Sequence, residues 1–189
     1  GKGISIVKRV DEFEKAVQII RRYKSAIVSR YIIDPLLLNG KKFHIRKYIL
    51  LDNTKHYTIL DVGRIYTAKM EYTKQIHKDG FDPNIHDTHH RSTGDDLFFP
   101  GALVGLDKQR IVRLVDQLCE HVCQRAIPYA KSYPESQYAF EVFALDIMLT
   151  SDYEIKLLEV NDKVGFGFNH QHNNDSFSKY FYKVIASEV

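Results

Sequence analysis

The chain has 189 residues, a formal net charge of +3, and 44% hydrophobic against 27% charged residues. That length and balance fit one soluble globular domain with a real core and exclude a disordered chain. The charge is too small to mark a nucleic-acid binder, no apolar run reaches membrane-spanning length, and no signal peptide is visible, so the expectation is a cytoplasmic protein with no nucleic acid and no membrane partner.

The chain opens Gly1-Lys2-Gly3 and runs into a short apolar stretch, Ile4–Val7. Glycines before a strand let backbone N–H groups approach a phosphate, and Lys2 adds charge; a tight turn is the rival reading. Gly-Lys-Gly is not a natural start, so a fragment of a longer chain is expected. Asp11 to Lys24 predicts a helix, with Asp11 and Glu14 as a capping pair and Phe13, Val17 and Ile20 on one stripe. Ile27–Ile33 predicts a strand. Asn39-Gly40 is a tight-turn signal between apolar segments. In the strand that follows, alternation puts Lys42, His44 and Arg46 on one face and Phe43 and Ile45 on the other. Such a cationic row suits a polyphosphate or an acyl-phosphate; a solvated face is the plainer alternative. Residues 47–51 and 56–62 continue as strands, with Arg64 just beyond, read either as a surface group or as part of a site.

Residues 69–100 are the least regular stretch and hold four histidines, His77, His86, His89 and His90. A mobile functional loop is expected there. A zinc site is disfavoured, because adjacent His89 and His90 lack structural-zinc spacing and no cysteine is near in sequence. Asp107–Ala126 predicts an amphipathic helix lying on the sheet, with Ile111, Leu114, Val115, Leu118 and Val122 inward. Cys119 and Cys123, the two cysteines, fall near that face and read as buried free thiols, which suits a reducing compartment. A last helix is expected from Asp175, with His170 and His172 in the loop before it.

The segment Phe140–Asn161, FEVFALDIMLTSDYEIKLLEVN, predicts a β-hairpin turning at Ser151–Glu154. With the turn centred between Asp152 and Tyr153, Asp146 faces Glu159 and Ala144 faces Asn161, all on one sheet face. Opposed carboxylates repel unless something neutralises them. A hard divalent cation on Asp146, Glu159 and the Asn161 amide oxygen would do so; two solvated acids remain the alternative, though the flanking leucines and valine argue against full solvation.

FEVFALDIML followed by LLEVN resembles the metal-binding end of the tubulin tyrosine ligase-like family, ATP-grasp enzymes that join an amino acid to a protein carboxylate. The family pattern is FE-x-x-G-x-D, a spacer and LLEVN; here Ala144 replaces the glycine. Gly1-Lys2-Gly3-Ile4 resembles the family's phosphate loop, and residues 29–32, Ser-Arg-Tyr-Ile, resemble its QRYI segment with Ser29 for Gln. Pro35 to Arg46 resembles NPLL-x-x-G-x-KFD-x-R, with His44 for Asp. Arg64 resembles the arginine of a G-x-x-R segment. His86-Asp87-Thr88-His89 resembles HLTN, departing at Asp87 and His89.

The resemblance implies an α+β fold of ATP-grasp type, an antiparallel sheet with flanking helices, of which the chain is the C-terminal portion with the upstream subdomain missing. It implies Mg²⁺ on Asp146, Glu159 and Asn161, and ATP held by Lys2, Lys42 and the adenine-side residues Ser29, Tyr31 and Ile32. Arg46 and Arg64 become catalytic, and His44, His86 and Thr88 face substrate. The implied reaction adds a tyrosine-, glutamate- or glycine-type amino acid to a protein acceptor, tubulin by the family's name. The fragment alone is expected to be inactive. Two rivals are a non-catalytic nucleotide-binding or scaffold module, favoured by the departures and by the lack here of the lysine that the family carries in a Lys-Pro pair upstream of its phosphate loop, and an ATP-grasp kinase acting on a small polyol.

Overall fold

The computed structural model describes residues 27–74, 82–89, 97–129 and 140–162, with positions 6, 13, 14, 17, 18, 20, 21, 164, 183 and 186 singly. The expectations at Lys2, His77, His90, His170 and His172, and most of both terminal helices, lie outside these residues. Within them, Phe13, Glu14, Val17, Gln18 and Ile20 are helical, as are Lys183 and Ala186.

Asn39 and Gly40 both adopt positive φ, 51° and 75°, the backbone that a two-residue hairpin turn requires. They join β1 (Leu37–Leu38) to β2 (Lys41–Asp52). Strand β2 then pairs on both sides: with β3 (Tyr57–Thr67) and with β5 (Phe140–Leu149). The sheet of described strands runs β4 (Leu97–Phe99), β3, β2, β5, β6 (Ile155–Asn161), with β1 also on β2, and every pairing is antiparallel. The predicted strands at 47–51 and 56–62 are thus parts of two longer ones, and Arg64 sits inside β3.

Alternation along β2 separates two cores. Phe43, Ile45 and Ile49 join Ile65, Leu145, Ile147 and Leu149 under α2 (Lys108–Ala126), whose Ile111, Val115, Cys119 and Cys123 close over them. Both cysteines are free thiols, and burial pushes the Cys119 thiol up to about 12. Asp107 caps α2, its Oδ1 accepting from the Arg110 amide at 3.0 Å. Lys47 also falls on this side. Its ammonium lies 3.0 Å from Asp116 of α2 and 5.1 Å from the centre of the Phe99 ring, which gives a buried cation both a charge partner and a π face. On the other face Tyr48, Leu50, Leu60 and Ala144 form a second, smaller core. It supports the polar end of the sheet described below.

Three expectations change. Residues 27–33 are not a strand: no strand pairs with them among the described residues, and Ile27 is 95% exposed. Apolar, β-branched composition favours a strand only where a neighbour completes the ladder. The stretch 69–100 holds both α1 (Pro83–His86), capped by Asp82, and the three-residue β4. The hairpin turn centres on Asp152, since Leu149 pairs with Ile155, and an irregularity between Asp146 and Ile147 restores the Asp146–Glu159 and Ala144–Asn161 pairs. The register at the site was right although the turn was misplaced by half a residue.

Candidate functional site

The site is built on four adjacent strands, β3, β2, β5 and β6. β2 pairs Arg46 with Arg64 on one side and with Asp146 on the other, and β5 pairs Asp146 with Glu159. Directly paired residues share a face, so alternation adds Lys42 and His44 from β2, Tyr66 from β3 and Asn161 from β6. Lys42, His44, Arg64 and Asp146 are all buried, His44 completely.

Asp146 is the centre. Arg46 grips it with a two-bonded fork, Nε to Oδ1 and a terminal nitrogen to Oδ2, each 2.7 Å. Burial pushes the Asp146 carboxyl up, but those bonds and the nearby positive charge outweigh it and hold the group below the usual carboxylate range. The Asn161 amide nitrogen lies 3.2 Å from Asp146 Oδ2 and 3.3 Å from Glu159 Oε1. The three residues expected to share a cation therefore meet. Two carboxylates and an amide are a hard oxygen-donor set, which fits Mg²⁺ in chemistry. The Arg46 guanidinium supplies the neutralising charge that the opposed carboxylates require.

A second group flanks this centre. The His44 ring stacks on Tyr66, centres 4.8 Å apart, and lies 4.8 Å from His89. His44 Nδ1 bonds Thr88 Oγ1 at 2.6 Å. Burial drives the His44 imidazole down to about 3, so it is neutral at ordinary pH. Arg46 also lies over the Tyr66 ring, 5.2 Å from its centre. Further out, Tyr31 Oη meets His86 Nδ1 at 2.8 Å, and the Lys42 ammonium sits 3.4 Å from the same hydroxyl. Burial brings the Lys42 ammonium down to about 8, partly opposed by Asp87.

Lys42, His44, Arg46, Arg64, Asp146, Glu159 and Asn161 thus share one sheet face, while Thr88, His86 and Tyr31 reach it from the segments packed against it. Ser29 and Ile32 are not drawn in: Ser29 is exposed, and no hydrogen bond joins either to this cluster among the described residues. Tyr66, Asp87 and His89 were not assigned from sequence. Tyr66 had a signal, since it stands two residues beyond Arg64 on one strand. Asp87 and His89 stood in the segment resembling HLTN only as departures from it, and a loop has no period from which to place side chains.

The model of the tubulin-tyrosine ligase family matches residues 1–92 and 99–189. A probable tubulin–tyrosine ligase of Schizosaccharomyces pombe is 22% identical over 183 residues, covering 90% of this chain and 44% of its own length. The tubulin polyglutamylase TTLL11 of Homo sapiens is 26% identical over 205 residues, covering 91% of this chain and 28% of its own. The chain therefore spans less than half of either relative.

Proposed function

The chain belongs to the tubulin-tyrosine ligase family, and from that premise we propose that the protein carrying it is an ATP-dependent ligase joining an amino acid to a carboxylate of a protein acceptor, tubulin being the acceptor in its relatives' names. Its α+β architecture, a described six-stranded antiparallel sheet, is of the ATP-grasp type. The observation that carries the reading is the meeting of Asp146, Glu159 and Asn161 beside three buried or half-buried cations, Lys42, Arg46 and Arg64.

In the proposed reaction an acceptor carboxylate oxygen attacks the γ-phosphorus and ADP leaves. The amine of the amino acid then attacks the acyl carbon, phosphate leaves with its oxygen, and the nitrogen loses a proton to give an amide. Asp146, Glu159 and Asn161 would hold Mg²⁺, which when bound supplies Lewis-acid polarisation of phosphate oxygens. Arg46 is pre-aimed by its fork to Asp146, so its outer N–H groups face the same region without reorganisation. Lys42 adds a point charge, held in place by the Tyr31 hydroxyl. Arg64, paired with Arg46 across the sheet, would bind the carbonyl oxygen on which charge develops. His44 stands where relatives of the expected pattern carry an aspartate. Because it is neutral and bonded to Thr88, it cannot pair with an ammonium as a carboxylate would.

The test is product analysis of the full-length protein with ATP, Mg²⁺, each of tyrosine, glutamate and glycine, and a tubulin tail peptide. ADP with a mass increase of one amino-acid residue on the peptide is expected. ADP with a phosphoester product would mean a kinase, and nucleotide binding without turnover would mean a binding module; either result overturns the ligase reading.

A further inference from the structure

Two histidines converge on Asp146 in a way that ATP binding does not require. His44 Nε2 lies 3.9 Å from Asp146 Oδ1, and His89 Nε2 lies 4.0 Å from Asp146 Oδ2. One ligand atom from each of the three residues falls within 4.8 Å of the others. Among the described residues, His44 Nε2 is buried and has no hydrogen-bond partner, an unsatisfied atom that costs stability unless a ligand or partner fills it.

We propose that His44, His89 and Asp146 form a binding site for a divalent ion of zinc type. Both rings are turned the right way. The His44 Nδ1 is hydrogen-bonded to Thr88 Oγ1 at 2.6 Å, and the His89 Nδ1 has Asp87 Oδ1 on its far side, 3.7 Å away and beyond hydrogen-bond reach. An oxygen that accepts from Nδ1–H leaves Nε2 as the ligand and fixes the ring's orientation, as Thr88 can do for His44. Asp146 also has capacity to spare. Of about four lone pairs on a carboxylate, Arg46 takes one on each oxygen and Asn161 takes one on Oδ2. One remains on Oδ1, the oxygen nearer His44.

The nearest approaches are 3.9 Å to Oδ1 and 4.0 Å to Oδ2, and one ligand atom from each residue lies within 4.8 Å of the others. Ligand atoms around a tetrahedral zinc lie about 3.3 Å apart, given bonds of about 2.0–2.1 Å, so the side chains must close by up to about 1.5 Å on binding. His89 is 42% exposed, which provides both the freedom to close and a route in for the ion. Imidazole donors select zinc-type ions over Mg²⁺, which prefers oxygen. Three protein ligands leave a fourth position for water or a phosphate oxygen. The site shares Asp146 and its free lone pair with the Mg²⁺ site of the ligase reading, so the two ions would compete there, but it does not rest on that reading.

The test titrates the chelator-treated full-length protein with Zn²⁺ by calorimetry and with Co²⁺ by visible absorption, without nucleotide. The expected result is one site, lost or weakened at least tenfold in His89→Ala and in His44→Gln. The bound Co²⁺ should show a ligand-field spectrum with no thiolate charge-transfer band. His89 is half exposed, so His89→Ala should keep the fold, which far-UV circular dichroism checks. No Zn²⁺ binding by the wild type, equal affinity in both variants, or a thiolate band pointing to the cysteines would each overturn the proposal. Since no turnover is read, its failure leaves the ligase reading untouched, and the reverse holds too.

Discussion

Arg46 and Asp146 carry the site because neither can be removed cheaply. Asp146 is 1% exposed and Arg46 meets both of its oxygens. The pair replaces hydration for a carboxylate that water does not reach. Arg46→Lys keeps the charge but loses the fork, since an ammonium cannot offer two parallel donors. A lost charge-assisted bond is worth about 1.5–3 kcal/mol, and urea unfolding of Arg46→Lys should show a loss in that range. Glu159→Gln should differ from the wild type by about 0.5 kcal/mol or less, because Glu159 is exposed. Equal losses in the two variants would contradict a central role for the fork. Lys42, His44 and Arg46 were legible in the sequence because strand alternation puts them on one face, and Asp146 because the hairpin register sets it opposite Glu159. The fork between Arg46 and Asp146 was not, because those residues are a hundred positions apart and only the pairing of β2 with β5 joins them.

The hairpins show how that pairing is set. At Gly63 an added Cβ would stand 2.4 Å from the Arg46 carbonyl oxygen, closer than real atoms approach. Gly63 faces Lys47, and the β2–β3 register shifts just beyond, between Lys47 and Ile49. A glycine within a strand marks such a close approach. Gly63→Ala must push β3 away from β2 at the point where Arg46 and Arg64 are paired. The expected cost is about 1–3 kcal/mol, with weakened nucleotide binding, measured by thermal unfolding and by titration. An alanine variant that unfolds and binds as the wild type does would show that the strands can separate there freely. The β5–β6 hairpin illustrates the limit of sequence reading. Its strands and polar turn were plain, yet the irregularity beside Asp146 was not, since a bulge leaves no compositional trace among LLEVN. Residues 27–33 failed for the opposite reason: strand-forming composition was present, and no partner strand is found among the described residues.

At the scale of the molecule, the sheet has two differently used faces. One is sealed by α2, with Ile111, Val115, Cys119 and Cys123 against the odd-numbered residues of β2. The other gathers charge, and its small apolar core of Tyr48, Leu50, Leu60 and Ala144 holds the strand ends level beneath the polar cluster. The long period-3.6 stripe of α2 made the first face readable from sequence. The second was readable only in part, because its loop-borne members, Thr88 and His89, come from a stretch without periodicity. No helix among the described residues is long and apolar enough to cross a membrane. In the proposed function this charged face would hold a nucleotide through a cation on Asp146, Glu159 and Asn161. The most direct measurement is calorimetric titration of the full-length protein with a non-hydrolysable ATP analogue, with and without Mg²⁺, for the wild type and for Glu159→Gln. Mg²⁺ should tighten binding to the wild type at least tenfold and do little for Glu159→Gln, whose stability is unchanged. An equal Mg²⁺ effect in both proteins would contradict it.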